Sequence, residues 1–323
     1  KAAVAEVGDE LATMMREAYK QLEDIAGSIV RVNEDNEVVG GLLKDQVDTV
    51  NDILKQVREL TEAIKRVYAQ GNQPNDLLDK RDLLLDELAK YGPVSVKFKT
   101  ENGKPTGEIE KLGFLGVEVI GADGEWGEVA VSYDSSGGTV ELTVGGETVQ
   151  LENYAGSLKG LVEVLGKVRD YAGILNNLSE ALRDAVNGAL EQEFFVEGGS
   201  LAQGNFAVHE DILSTPSTIK GERALYVARL ATTPQSNLGG ATFSEYFNAL
   251  LADIGARSGA ATSMTETQGA VYEQLESLRQ SVSGVNLDEE LSRLLQFQYG
   301  YQASARVLAA IDEMLDYLIN RML

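Results

Sequence analysis

At 323 residues the chain is long enough for more than one domain, and 43% hydrophobic with 24% charged side chains is the balance of ordinary soluble protein. A formal charge of −23 with no basic run argues against nucleic acid and anionic lipid as partners, because both are gripped by basic faces. Zero cysteines remove disulfides, thiolate catalysis and thiolate metal sites, and unbroken apolar stretches such as Val307 to Ile311 are far shorter than the roughly 20 residues of a membrane span.

Residues 1–32 carry a 4-3 apolar rhythm through Val4, Leu11, Met15, Ala18, Leu22, Ile25, Ile29 and Val32, with Gly8 as its interruption. That spacing predicts an amphipathic helix with a coiled-coil-like seam. "NEDNEVVGG" (33–41) is a polar, glycine-ended break that could also stay helical. The rhythm resumes at Leu43, Val47, Val50, Leu54, Val57, Ile64 and Tyr68 and ends at Gly71 to Pro74. "NDLLDKRDLLLDELAKYGP" predicts a short helix with Asn75 as its cap, Asp76 and Asp79 in its first turns and Gly92–Pro93 as its stop.

The period then changes to two. Val94, Val96 and Phe98 alternate with Ser95, Lys97 and Lys99, and "ENGK" (101–104) holds an Asn-Gly hairpin signal. Further strands are expected at 117–120, 129–133, 140–144 and 148–151, separated by glycine turns. Helix returns near 156 with Leu161, Leu165, Val168, Ala172, Leu175, Leu182, Val186 and Ala189 on one spacing. Residues 191–220 read as irregular, followed by a short helix near 221–231 and a segment near 244–255. Met264, Val271, Leu275, Leu278 and Val282 then mark a long helix, and Asn286 with Glu289 resembles a capping box for the last one.

The expected fold is therefore mainly α: an elongated antiparallel helical bundle with long coiled-coil-like helices and an inserted small antiparallel β domain. The expected boundaries are 1–93 and 155–285 for the two parts of the bundle, 94–154 for the β domain and 286–323 for a C-terminal core helix.

Catalytic chemistry finds little to stand on. His209, the single histidine, lies in "NFAVHED" with no nucleophile-elbow motif anywhere, and reads as a surface or packing residue. Asp76, Asp79, Asp82, Asp86 and Glu87 share one short helix with Lys80 and Arg81. They read as a solvated, ion-paired face, since acid–base work needs two carboxylates held across a cleft in unlike environments. "DSSGGT" and "GADGE" lack the alternating oxygen ligands and closing Glu of a calcium loop, and "LGFLGVEVIG" lacks the spacing of a phosphate loop. Trp126 reads as the filling of a small β core in preference to a sugar platform. No catalytic, metal or cofactor site is expected.

The final segment carries the strongest functional signal. Leu287, Leu294, Tyr301, Leu308, Leu315 and Met322 recur every seven residues, with Phe297, Ile311 and Leu318 at the adjacent seam position. Gly300, Ala303, Ser304 and Ala305 form a patch of small side chains that would let another helix approach closely, while Asp312, Glu313 and Asp316 lie on the other side. Each fully covered Leu, Ile, Phe or Tyr is worth roughly 1.5–3 kcal/mol, so a bare row of this length marks an interaction site. The expected assembly or chaperone interface is Leu287, Leu294, Phe297, Tyr301, Leu308, Ile311, Leu315 and Leu318; the alternative is a helix that packs within its own bundle.

Residues 281–320, "SVSGVNLDEELSRLLQFQYGYQASARVLAAIDEMLDYLIN", resemble the C-terminal signature of bacterial flagellar axial proteins. "NQPNDLLDKRDLLLDELAKYGPVSV" (72–96) and "GGATFSEYFNALLADIG…TETQGAVYEQLESLRQSVSGV" (239–285) narrow the resemblance to the flagellar hook-associated protein 1 (FlgK) family, with "ILSTPSTIKG" (212–221) in weaker agreement. It covers about 42–96 and 155–323 and is poor over the β insertion. Members of that family begin with a further helical segment, so an N-terminal piece is expected beyond Lys1, as coiled-coil partner of the final stripe. The resemblance implies a structural protein at the junction of hook and filament, outside the cell and exported by the flagellar type III system. It implies assembly with itself in a helical ring, with hook protein, with hook-associated protein 3 and with an export chaperone. Absence of cysteine suits passage through a narrow channel. The alternatives are another axial protein, such as hook-associated protein 3 or a hook protein, or a binding protein or enzyme that uses the β unit on the flagellar surface.

Overall fold

The structure, a computed structural model, describes the backbone of residues 1–121, 124–134, 138–283 and 287–321, and the side chains of these except 104, 282, 283, 287–290 and 310–321. The chain divides into two compact units, Lys1–Leu250 and Leu251–Leu323. In the first, helices α1 (Ala2–Ile29), α2 (Leu42–Ala69), α3 (Asn75–Leu88) and α4 (Ser157–Leu190) frame strands β3 (Val94–Glu101), β4 (Lys104–Phe114), β5 (Val117–Glu118), β6 (Val129–Asp134), β7 (Thr139–Val144) and β8 (Glu147–Thr148). A small hairpin, β1 (Arg31–Val32) and β2 (Val38–Gly40), joins α1 to α2. The short helices α5 (Glu210–Ser214) and α6 (Ala224–Leu230) follow α4. Helix α7 (Phe243–Ser283) starts in the first unit and continues into the second, which ends in α8 (Leu287–Arg321).

The expected helices with inserted antiparallel strands are present, and the differences have physical causes. The break at 33–41 is a hairpin: the Asn33 side chain accepts from the amides of Asp35 (3.1 Å) and Glu37 (2.8 Å), an Asx-type turn that substitutes for helical bonds. Gly41 follows at φ 101°, where a Cβ would stand 2.6 Å from the carbonyl oxygen of Ile29. Asn75 does not cap α3; it is the first helical residue, behind Pro74, and no side chain caps that end. The strand expected at 148–151 is shorter and earlier, Glu147–Thr148, and Leu151 already opens a 3-10 turn that runs to Asn153.

Strands β3-β4-β5 and β6-β7-β8 make two separate antiparallel sheets among the described residues. They share one apolar core with the helices. Val50, Leu54 and Val57 of α2, Leu88 of α3 and Leu158 and Leu165 of α4 pack with Leu112, Phe114, Val129, Leu142 and Val144. α2 presents the seam that its 4-3 spacing predicts, from Leu43 to Ile64, and the strands cover it. The side chain of Asn51 fixes the register: its amide donates to the carbonyl of Val129 and its oxygen accepts from the amide of Val129, both at 2.8 Å.

A second core lies along α1 and α4. Residues 191–220, expected to be irregular, hold Phe194, Phe195 and Phe206 fully buried, with ring centroids 5.0 Å apart in each successive pair. α1 packs here through Ala5, Gly8, Ala12 and Met15. At Gly8 a Cβ would stand 2.7 Å from the Phe194 ring, so the glycine read as an interruption is what lets the ring seat. Val4 and Ile25, expected in the seam, are exposed, because α1 turns its small residues inward.

Candidate assembly surface

α8 is helical over Leu287–Arg321, as its heptad row requires. Along it Leu294, Phe297, Tyr301 and Leu308 are 61%, 78%, 78% and 68% exposed, with Leu291, Tyr299 and Val307 also open to solvent. The side chains of Leu287, Ile311, Leu315 and Leu318 lie outside the described residues, as does the Asn286–Glu289 capping pair. A Cβ at Gly300 would meet nothing within 4 Å, and Ser304 turns its hydroxyl back to the carbonyl of Gly300 at 2.9 Å. Within α7 the row Met264, Val271, Leu275 and Leu278 is exposed too. The second unit thus displays apolar residues at helical spacing, the condition under which water favours association.

α7 is one helix of 41 residues, not two segments. Its start is a reciprocal cap of the Thr-x-x-Glu kind. Glu245 accepts from the amide and hydroxyl of Thr242, both at 2.9 Å, and its own amide donates to the Thr242 hydroxyl at 3.2 Å. These bonds to the charged form hold the Glu245 carboxyl below its usual range, the main-chain bond first. The sequence signal for this cap is "TFSE" (242–245), a Thr followed three residues later by Glu.

Elsewhere the polar side chains serve the fold. Arg81, grouped with a solvated face in the sequence, is buried; its Nη1 donates to the carbonyl of Gly107 at 3.1 Å and its guanidinium lies 4.3 Å from the centre of the Phe98 ring. Burial pushes that guanidinium below its ordinary range. It clamps the β3–β4 hairpin onto α3. Beside it Glu108 bridges Lys65 and Lys99, whose hydrogen bonds hold its carboxyl below the usual range. His209 caps α5, its Nδ1 accepting from the amide of Asp211 at 3.3 Å. Trp126 is half-buried at the edge of the first core. Among the described residues no group of three His, Asp or Glu side chains could hold a metal ion, and no helix is long and apolar enough to cross a membrane.

Comparisons with known proteins agree with the signatures at both ends. Residues 1–206 match the family described as flagellar hook-associated protein FlgK helical domain, and residues 279–322 match that described as flagellar basal body rod FlgEFG protein C-terminal. Flagellar hook-associated protein 1 of Bacillus subtilis is 27% identical over 336 aligned positions, covering 87% of this chain and 66% of that protein. The Escherichia coli protein of the same name is 43% identical over 90 residues, covering 27% of this chain and 16% of its own length. The solved flagellar hook junction protein FlgK of Burkholderia pseudomallei aligns with a TM-score of 0.44 at 20% identity, over 58% of this chain and 33% of that one. The chain thus spans just under two thirds of the B. subtilis relative and much less of the others.

Proposed function

Because this chain belongs to the flagellar hook-associated protein FlgK family, its helical-domain match covering residues 1–206, we propose that it is a structural axial protein of the bacterial flagellum, working at the junction of hook and filament. It acts by packing, not by turnover. The observation that carries this reading is the exposed row Leu294, Phe297, Tyr301 and Leu308, on the segment that matches the C-terminal family of rod proteins. A monomer that leaves such a row in water is poised to bury it between subunits, at roughly 1.5–3 kcal/mol for each residue fully covered.

Its partners are copies of itself in a ring, hook protein on one side and hook-associated protein 3 on the other. Before assembly an export chaperone covers the α8 row, which would otherwise promote aggregation. The protein works outside the cell after export by the flagellar type III route, and the lack of cysteine suits that passage. Deleting the gene tests the reading: electron microscopy should find hooks without filaments, with flagellin shed into the medium. Filaments of normal length on such a strain would overturn it.

A further inference from the structure

A hollow of about 320 Å³ lies on the first unit between α2 and the turn that leads into β6. One wall is a stripe of α2: Asp52, Lys55 and Arg58 stand three residues apart, and so share a face over about 9 Å. The other wall is Trp126, Gly127 and Glu128.

Hydrogen bonds fix both walls before any ligand arrives. Asn51 also lines the hollow, and its side-chain amide is bonded twice to Val129, which locks the start of β6 to α2. Trp126 forms an antiparallel bridge with Ile120, and the amide of Gly127 donates to the carbonyl of Val119 at 2.7 Å. A Cβ at Gly127 would stand 2.5 Å from the Cα of Gly145, so the turn sits against the β7–β8 connection in a seat that needs glycine.

The charged side chains around the hollow are not used by the fold. Asp52, Lys55, Arg58 and Glu128 are exposed, and among the described residues none of these four side chains has a hydrogen-bond or ion-pair partner. The neighbouring hairpin is different: there Lys65, Lys97, Lys99 and Lys111 each hold a glutamate. Trp126, the single tryptophan of the chain, packs against the first core with part of its indole and leaves the rest open. A flat ring, two cations and two carboxylates around one small hollow select a ligand with an apolar face, hydroxyl donors and an anionic group. The volume is at the lower end of the roughly 300–1,000 Å³ of ligand sites, which suits one or two sugar units.

We propose that the hollow binds an acidic sugar, a pyranose that carries a carboxylate. The C–H face of the sugar lies on Trp126, its carboxylate is taken by Lys55 and Arg58, and its hydroxyls donate to Asp52 and Glu128. A nucleotide fits less well, because a phosphate monoester of about two negative charges would share the hollow with both carboxylates. The proposal does not depend on the junction reading, and its failure would leave that reading untouched.

With one tryptophan in the chain, indole emission reports on this hollow alone. The test titrates the whole protein with D-glucuronate and D-galacturonate at constant ionic strength, with D-glucose as the neutral counterpart and uridine monophosphate as an anionic ring compound of another class. A saturable shift in emission is expected with at least one uronate at about 1 mM, where a ligand of roughly 13 non-hydrogen atoms binds at ordinary efficiency. Glucose should bind about fivefold more weakly or worse, for want of the ionic contact. Lys55→Gln with Arg58→Gln should erase that difference and leave the melting curve unchanged, because both residues are exposed and unpaired. Trp126→Leu, followed by calorimetry, should weaken uronate binding by about threefold or more. Should that variant fail to fold, the double glutamine variant, which keeps the reporter, decides alone. No saturable change with either uronate up to about 10 mM, glucose binding as tightly as the uronates, a preference that survives in the double glutamine variant, or tighter binding of uridine monophosphate would each overturn the inference.

Discussion

The two units use the same apolar rhythm to opposite ends. In the first, the rows of α2 and α4 meet strands and other helices, so that Leu43, Val50, Val57, Leu158 and Leu165 are all but sealed from water. In the second, the rows of α7 and α8 stand open at Met264, Leu275, Leu294, Tyr301 and Leu308. Periodicity records that a face is to be covered, not what covers it. A mutation on a covered row is read out by melting; one on an open row should be read out by assembly.

The comparison breaks first at the aromatic knot. Phe206→Ala should destabilise the first unit by about 3–5 kcal/mol, since it opens a void among Phe194, Phe195 and Leu201. Tyr301→Ala on α8 should stay within about 0.5 kcal/mol. Urea denaturation of both variants checks the contrast, and equal losses would erase it.

Next comes the bond that ties sheet to helix. Asn51→Ala leaves both main-chain groups of Val129 without their partner and should lower stability by about 1–3 kcal/mol. Hydrogen exchange should show the loss concentrated in β6 and β7.

The start of α7, where the covered part leads into the open one, is held by its cap. Thr242→Ala should cost about 1 kcal/mol and fray the first turn, measurable as faster exchange at the amides of residues 243–246.

The smallest effect concerns acid. Glu108 has its carboxyl depressed by Lys65 and Lys99, so in the folded state it stays charged to lower pH than in the unfolded chain. Its contribution is complete above the ordinary carboxylate pKa and is lost as pH falls through the folded value. Below about pH 4.5 the wild type should lose stability more steeply than Glu108→Gln, which lacks that term. Matching slopes in melting experiments from pH 6 to 3, roughly the range in which carboxylates titrate, would remove the bridge from the account.

What the sequence made legible follows from range. The α2 seam is local and regular: Leu43, Val47, Val50, Leu54, Val57 and Ile64 are all buried. α1 was read as a single seam because Val4 and Ile25 outweigh Ala5 and Ala12 in any hydrophobic count, although close packing against Phe194 selects the small residues. Arg81 looked solvated because helix spacing knows its neighbours along α3 but not Gly107, 26 positions away on β4. The aromatic knot of 194–206 has no period at all. A segment near 244–255 and a later long helix were expected where α7 is continuous; a helix of 41 residues absorbs the cost of Gly255 and Gly259, about 1 kcal/mol each. Of the eight residues expected at the assembly surface, Leu294, Phe297, Tyr301 and Leu308 stand exposed, while Leu287, Ile311, Leu315 and Leu318 fall outside the described side chains.

The central claim is that the open row on α8 is completed by other molecules. Its most direct test is to supply a strain lacking this protein with the Leu294→Asp, Leu308→Asp variant and to count filaments by electron microscopy. Because both positions are exposed, the monomer should fold as before, and the account predicts hooks that carry no filament. Filaments of normal number and length would contradict it, since an assembly seam cannot bury two carboxylates without cost.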